Sequence, residues 1–73
     1  MRLSEFRRAL AQEFGESYGR VLTHDLVLTP LGGRSADEAL AGGVPARDVW
    51  LALCAETDVP PHRWYGAGLP APQ

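Results

Sequence analysis

The stretch ALAGGVPARDVWLAL (Ala39–Leu53) decides how this chain folds. A small residue, Ala39, is followed four positions later by Gly43, then by apolar Val44, and β-branched Val49 lies six positions after the glycine. The spacing predicts two short helices that cross through a tight turn: the small residue lets them approach, and the glycine makes the turn. Pro45 suits a first helical position, where its missing N–H is no loss. Upstream, Ser35-Ala36-Asp37-Glu38 reads as a capping box, the serine hydroxyl accepting from the backbone of Glu38 while the glutamate reaches back. Gly42-Gly43 then closes that third helix after about two turns.

The fourth helix, about 45–56, carries Val49, Trp50, Leu53 and Cys54 on one arc, with Leu51, Ala52 and Ala55 over much of the rest. A helix apolar nearly all round is either central in its fold or shared with a partner. Leu51, between Arg47 and Ala55, is expected to be exposed. The pair is helix-turn-helix-like, a unit whose second helix enters the major groove of DNA. Groove entry needs side chains that reach base edges or phosphates. Ala46, Arg47, Asp48 and Trp50 or Leu51 are what the outward face offers; Arg47 suits that work and Asp48 opposes it.

Toward the N-terminus, Leu3, Phe6, Leu10 and Phe14 recur at spacings of three and four, predicting a helix over about 5–14 capped by Ser4. Gly15 fits the left-handed position that ends helices. A second helix is expected from about Glu16 to Leu28, with Tyr18, Val21, Leu22, Asp25 and Leu26 on one face. Gly19 weakens it by ~1 kcal/mol relative to Ala unless close approach of another helix compensates, which is the expectation here. Leu26-Val27-Leu28 has strand composition, but nothing elsewhere offers a pairing partner. Trp64 is expected to fold back onto the bundle. The expected core is Leu3, Phe6, Leu10, Phe14, Tyr18, Leu22, Leu26, Leu40, Val49, Trp50 and Leu53. The fold class is therefore all-α, a small four-helix bundle with a crossed pair of helices three and four, in one domain over 1–65 with a flexible tail over 66–73.

A chain of 73 residues forms one domain and has too few side chains for a deep, water-excluding active site. Seven basic residues, all Arg, stand against nine acidic ones, a net charge of −2. Phosphate binding therefore requires Arg concentrated in one patch. Arg2, Arg7 and Arg8 are a candidate, with Arg7 and Arg8 off the apolar stripe and solvated. A single Cys excludes an internal disulfide. No apolar run reaches the roughly 20 residues of a bilayer span, and no signal-type stretch follows Met1. A cytoplasmic protein without membrane attachment is the expectation.

Cys54 lies among apolar neighbours and reads as a small buried hydrophobe rather than a nucleophile. His24 and Asp25 are sequential, so on a helix they diverge and are not expected to form a facing dyad. Neither His24 nor His62 stands at metal-ligand spacing from the other or from Cys54. The glycine pairs 32–33 and 42–43 lack phosphate-loop spacing. No catalytic residue, cofactor or metal is expected.

Met1-Arg2-Leu3-Ser4-Glu5-Phe6, Phe14-Gly15 with Tyr18, Asp25 to Leu28, Gly33-Arg34-Ser35, Arg47-Asp48-Val49-Trp50, Ala52-Leu53-Cys54 and Asp58-Val59-Pro60 occur in an order that resembles a family of short actinobacterial proteins catalogued as domain of unknown function 3046. The resemblance covers about residues 1–64. It implies no catalytic residues or cofactor. Members often lie beside the RecA recombinase and its RecX regulator, which implies a setting around DNA repair. Members often carry a basic residue after the tryptophan, where this chain has Leu51, a departure that favours an apolar contact there. The expected function is a non-enzymatic protein-binding module, an accessory factor in a repair setting. Its contact surface would centre on Arg47 and Leu51, with Arg7 and Arg8 as polar rim. Leu51 would also serve a homodimer across a two-fold axis. The alternative is a small DNA-binding protein using the helix-turn-helix-like pair.

Overall fold

A computed structural model of the chain describes residues 1–60 and Arg63. The expected fold-back of Trp64, the domain end at 65 and the tail 66–73 lie outside the described residues. The architecture is all-α. Helices α1 (Leu3–Phe14), α2 (Glu16–Asp25), α3 (Ala36–Ala41) and α4 (Ala46–Glu56) pack in a compact arrangement, with strands β1 (Val27–Leu28) and β2 (Arg34–Ser35) between α2 and α3.

α1 begins at Leu3 because Glu5, not Ser4, does the capping: the Arg2 N–H donates to Glu5 Oε1 at 2.6 Å. That hydrogen bond also holds the Glu5 carboxyl below its ordinary range. Leu3, moved to the first helical position, is 52% exposed and leaves the expected core. Gly15 is the sole link between α1 and α2, with φ +85° and ψ 159°. This conformation is open essentially to glycine alone, and it turns the chain directly into the next helix. It differs from the expected left-handed helix end in being extended along ψ.

The close approach expected at Gly19 is present: a Cβ there would lie 2.9 Å from Leu10 Cγ on α1. α2 ends at Asp25, three residues before the expected Leu28, because Val27 and Leu28 do find a partner. They pair antiparallel with Ser35 and Arg34 respectively. The pairing was not foreseeable from the strand composition of β2. It depends on Gly32 and Gly33 holding φ of +75° and +76° after a 3₁₀ turn over Thr29–Leu31. Leu28 is thereby fully buried.

Ser35 ends β2 and caps α3. Its Oγ accepts from Glu38 N–H at 3.2 Å, and its own N–H donates to Glu38 Oε1 at 3.0 Å. At the other end Gly43, at φ +94°, closes α3. Gly43 N–H reaches Leu40 O at 3.1 Å and Val44 N–H reaches Ala39 O at 3.0 Å, the paired bonds of a glycine-closed helix end. α4 starts at Ala46, with Pro45 one place further out than expected. It ends with the same bond pattern: Asp58 takes φ +58°, a region Asp tolerates better than most residues, and Val59 N–H reaches Cys54 O at 3.0 Å. Val59 is folded into the core by that turn.

α4 is the central element, contributing buried Val49, Trp50, Ala52, Leu53 and Cys54. Phe6 meets Trp50 edge-to-face with ring centroids 6.1 Å apart, and Phe14 meets it at 6.5 Å. Phe6, Ala9, Leu10, Leu22, Leu28, Ala36 and Ala39 complete the core around it. Three expected core residues, Phe14, Leu26 and Leu40, are partly buried at its edge. Tyr18 is 58% exposed and meets the Phe14 ring edge-on.

Candidate functional site

α3 and α4 form the crossed, helix-turn-helix-like pair. Arg47 projects from the first turn of α4 and is exposed, as is Asp48 beside it. Leu51, one turn further, is not freely exposed as expected. It is partly buried against the core, because α4 is wrapped by neighbours on more sides than its apolar arc suggested. The turn has a second cation that the sequence did not single out. Arg34 reaches across from β2 so that its Nη1 lies 3.2 Å from where a Gly42 side chain would begin. A guanidinium at the C-terminal end of α3 is favourably placed against the helix dipole.

Arg7 donates to Asp37 Oδ1 on α3 at 3.5 Å, with the two side chains 48% and 40% exposed. Its guanidinium carbon also lies 5.7 Å from the Phe6 ring centre. Arg8 is exposed. Among the described residues no hydrogen bond or ion pair joins Arg7 or Arg8 to Arg47 or Leu51. Arg63 pairs with Glu13 of α1, a contact across the chain that local spacing could not announce.

His24 and Asp25 do meet, contrary to expectation: His24 Nδ1 lies 2.6 Å from Asp25 Oδ1. α2 ends at Asp25, so this carboxylate swings back to the preceding ring free of further helical turns. The hydrogen bond from the ring, and then the carboxylate charge, push the imidazole pKa up from 6.5. Both side chains are largely solvated, so the pair is a surface feature. Cys54 is buried as expected, and burial pushes its thiol up to about 12, so it stays protonated and a poor nucleophile at neutral pH. Among the described residues no group of three or more His, Cys, Asp or Glu side chains could hold a metal ion. Nor, among them, is any helix long and apolar enough to cross a membrane.

No curated protein and no solved structure matches the chain. The family described as Protein of unknown function (DUF3046) matches residues 1–62, which takes in all four helices, the β1–β2 pair and the Arg34–Arg47 turn. The chain, by that match over most of its length and in the order the opening motifs suggested, belongs to the DUF3046 family.

Proposed function

We propose that this chain is a small DNA-binding protein that acts in the cytoplasm and contacts a duplex through the α3–α4 pair. The observation that carries this reading is a helix-turn-helix-like turn bracketed by two exposed arginines, Arg34 over Gly42 and Arg47 in the first turn of α4. The second helix of such a pair enters the major groove by its N-terminal residues, and it is the exposed N-terminal turn of the otherwise buried α4 that carries Arg47. In this reading Arg34, held across the turn over Gly42, contacts a backbone phosphate. Each guanidinium presents a fork that matches phosphate oxygens. With a net charge of −2 the rest of the surface adds no general attraction, so affinity depends on these two contacts.

Two neutralised phosphates give a slope of about −1.8 in log affinity against log salt, or roughly a twelvefold loss between 50 and 200 mM. Fluorescence anisotropy of labelled duplexes over that range tests the reading. The expected result is that slope in the wild type and its disappearance, with most of the affinity, in Arg34→Ala/Arg47→Ala. Absence of duplex binding at the lowest salt, or binding indifferent to both substitutions, overturns it.

A second reading, a protein-binding module centred on Arg47 and Leu51 with Arg7 and Arg8 as rim, is favoured by the partial exposure of Leu51 beside a cation. It predicts association that changes little with salt and is lost in Leu51→Glu.

A further inference from the structure

The contact between α1 and α2 at Gly19 has a consequence beside it. Arg20 directly follows the contact glycine, and Arg7 lies one turn before Leu10 on the facing helix. The close approach therefore sets both arginines on the walls of one groove. Two cavities meet at this pair. One, of 290 Å³, runs along Leu10 and Ala11, and the other, of 590 Å³, passes Val21 and opens toward Asp37 of α3. Val21 is 52% exposed on this wall.

The cations in the groove are under-used. Among the described residues the Arg20 guanidinium has no acidic partner, and Arg7 holds Asp37 only at 3.5 Å with both side chains half in solvent. An exposed pair of that kind contributes ~0–1 kcal/mol and yields easily to a better placed carboxylate. Around them stand three carboxylates: Glu16 at one end, and Asp25 and Asp37 at the other. A continuous phosphate backbone laid along the groove would run against all three. A peptide that confines one or two carboxylates to the arginines, and turns apolar side chains to Ala11 and Val21, keeps its charge beside the cations rather than along the whole groove.

We propose that the groove between α1 and α2 is a docking site for an acidic, apolar peptide segment of a partner protein, with Arg7 and Arg20 receiving its carboxylates. The site is separate from the Arg34–Arg47 turn and does not depend on DNA binding there. Each arginine fork takes a carboxylate through paired N–H···O bonds, and the apolar floor covers the side chains between them. Asp37 acts as an internal competitor for Arg7.

The test uses the full chain, a terminally blocked octapeptide of leucine and serine with two central glutamates, its glutamine counterpart, and inorganic phosphate. Backbone amide shifts locate the contact and titration gives the affinity. The glutamate peptide is expected to shift amides of α1 and α2 around Arg7 and Arg20. Arg20→Ala should weaken it about tenfold. Asp37→Asn should tighten it by about two- to threefold by releasing Arg7. Arg47→Ala should leave it unchanged. Circular dichroism confirms that these surface variants fold. Equal binding of the glutamine peptide, indifference to Arg20→Ala, or no gain in Asp37→Asn overturns the proposal. So does displacement of the peptide by phosphate or duplex DNA in an Arg20-dependent manner, which would make the groove a phosphate site.

Discussion

Replacing Gly19 by alanine sets two effects of opposite sign against each other, and the structure decides between them. Within a helix the change gains about 1 kcal/mol, because glycine gives up more backbone freedom on folding. Here the added methyl would stand 2.9 Å from Leu10 Cγ and 3.2 Å from its Cδ2. Leu10 is 4% exposed, enclosed by the core, and its Cγ is a branch point that cannot swing clear alone. Overpacking of this kind costs about 1–3 kcal/mol. Gly19→Ala should thus be destabilising by up to about 2 kcal/mol, out of a total near 4–11 kcal/mol for a chain this size. Urea denaturation followed by helical circular dichroism measures it. With a slope near 1 kcal/mol/M the midpoint falls by up to about 2 M. The decisive arm is Leu10→Ala, which costs ~2–5 kcal/mol by the hole it leaves. In that background Gly19→Ala should become stabilising, because its methyl enters vacated space and the helix gain remains. A higher midpoint for Gly19→Ala alone, or simple additivity in the double variant, refutes the close contact.

Ser35→Ala should cost about 1 kcal/mol, since the Glu38 N–H loses its acceptor at the start of α3. The Ser35 N–H and hydroxyl hold the Glu38 carboxyl below 4.5, so its contribution to stability is present above that value and lost as pH falls through the lowered one. Urea midpoints across acid pH should show this loss in the wild type and a weaker one in Ser35→Ala; parallel profiles refute the link. The His24 imidazole should titrate above 6.5 by NMR and return toward it in Asp25→Asn. A raised folded-state pKa stabilises fully below the ordinary value, and this contribution disappears as pH rises through the raised one. An unchanged midpoint in Asp25→Asn removes the pair as the cause.

Features that depend on a few adjacent residues were legible in the sequence. The Ser35–Glu38 capping box and the glycine closure of α3 each involve groups within five positions and stand where local chemistry placed them, and the start of α4 falls one residue later than Pro45 suggested. The central role of α4 was legible as well, because an apolar arc that wide cannot face water. Arg47 was readable as exposed from its place beside the arc.

What the tertiary structure alone decided was which apolar faces are covered and which charges meet. Periodicity put Leu3, Phe6 and Leu10 on one stripe, yet Leu3 and Tyr18 stay exposed, while Phe6 packs on Trp50 of α4 and Leu10 against Gly19 of α2. Leu28 entered the core only through pairing with Arg34, a contact made by two glycine dihedrals that leave no hydrophobic signature. Arg34 reached the turn, and Arg7, Arg20 and Asp37 came to one groove, from three separate helices and a strand. Helix formation is settled by neighbours three and four positions away. A groove or a charge pair is settled by which helices approach and how closely, and between α1 and α2 that rests on the missing side chain at Gly19.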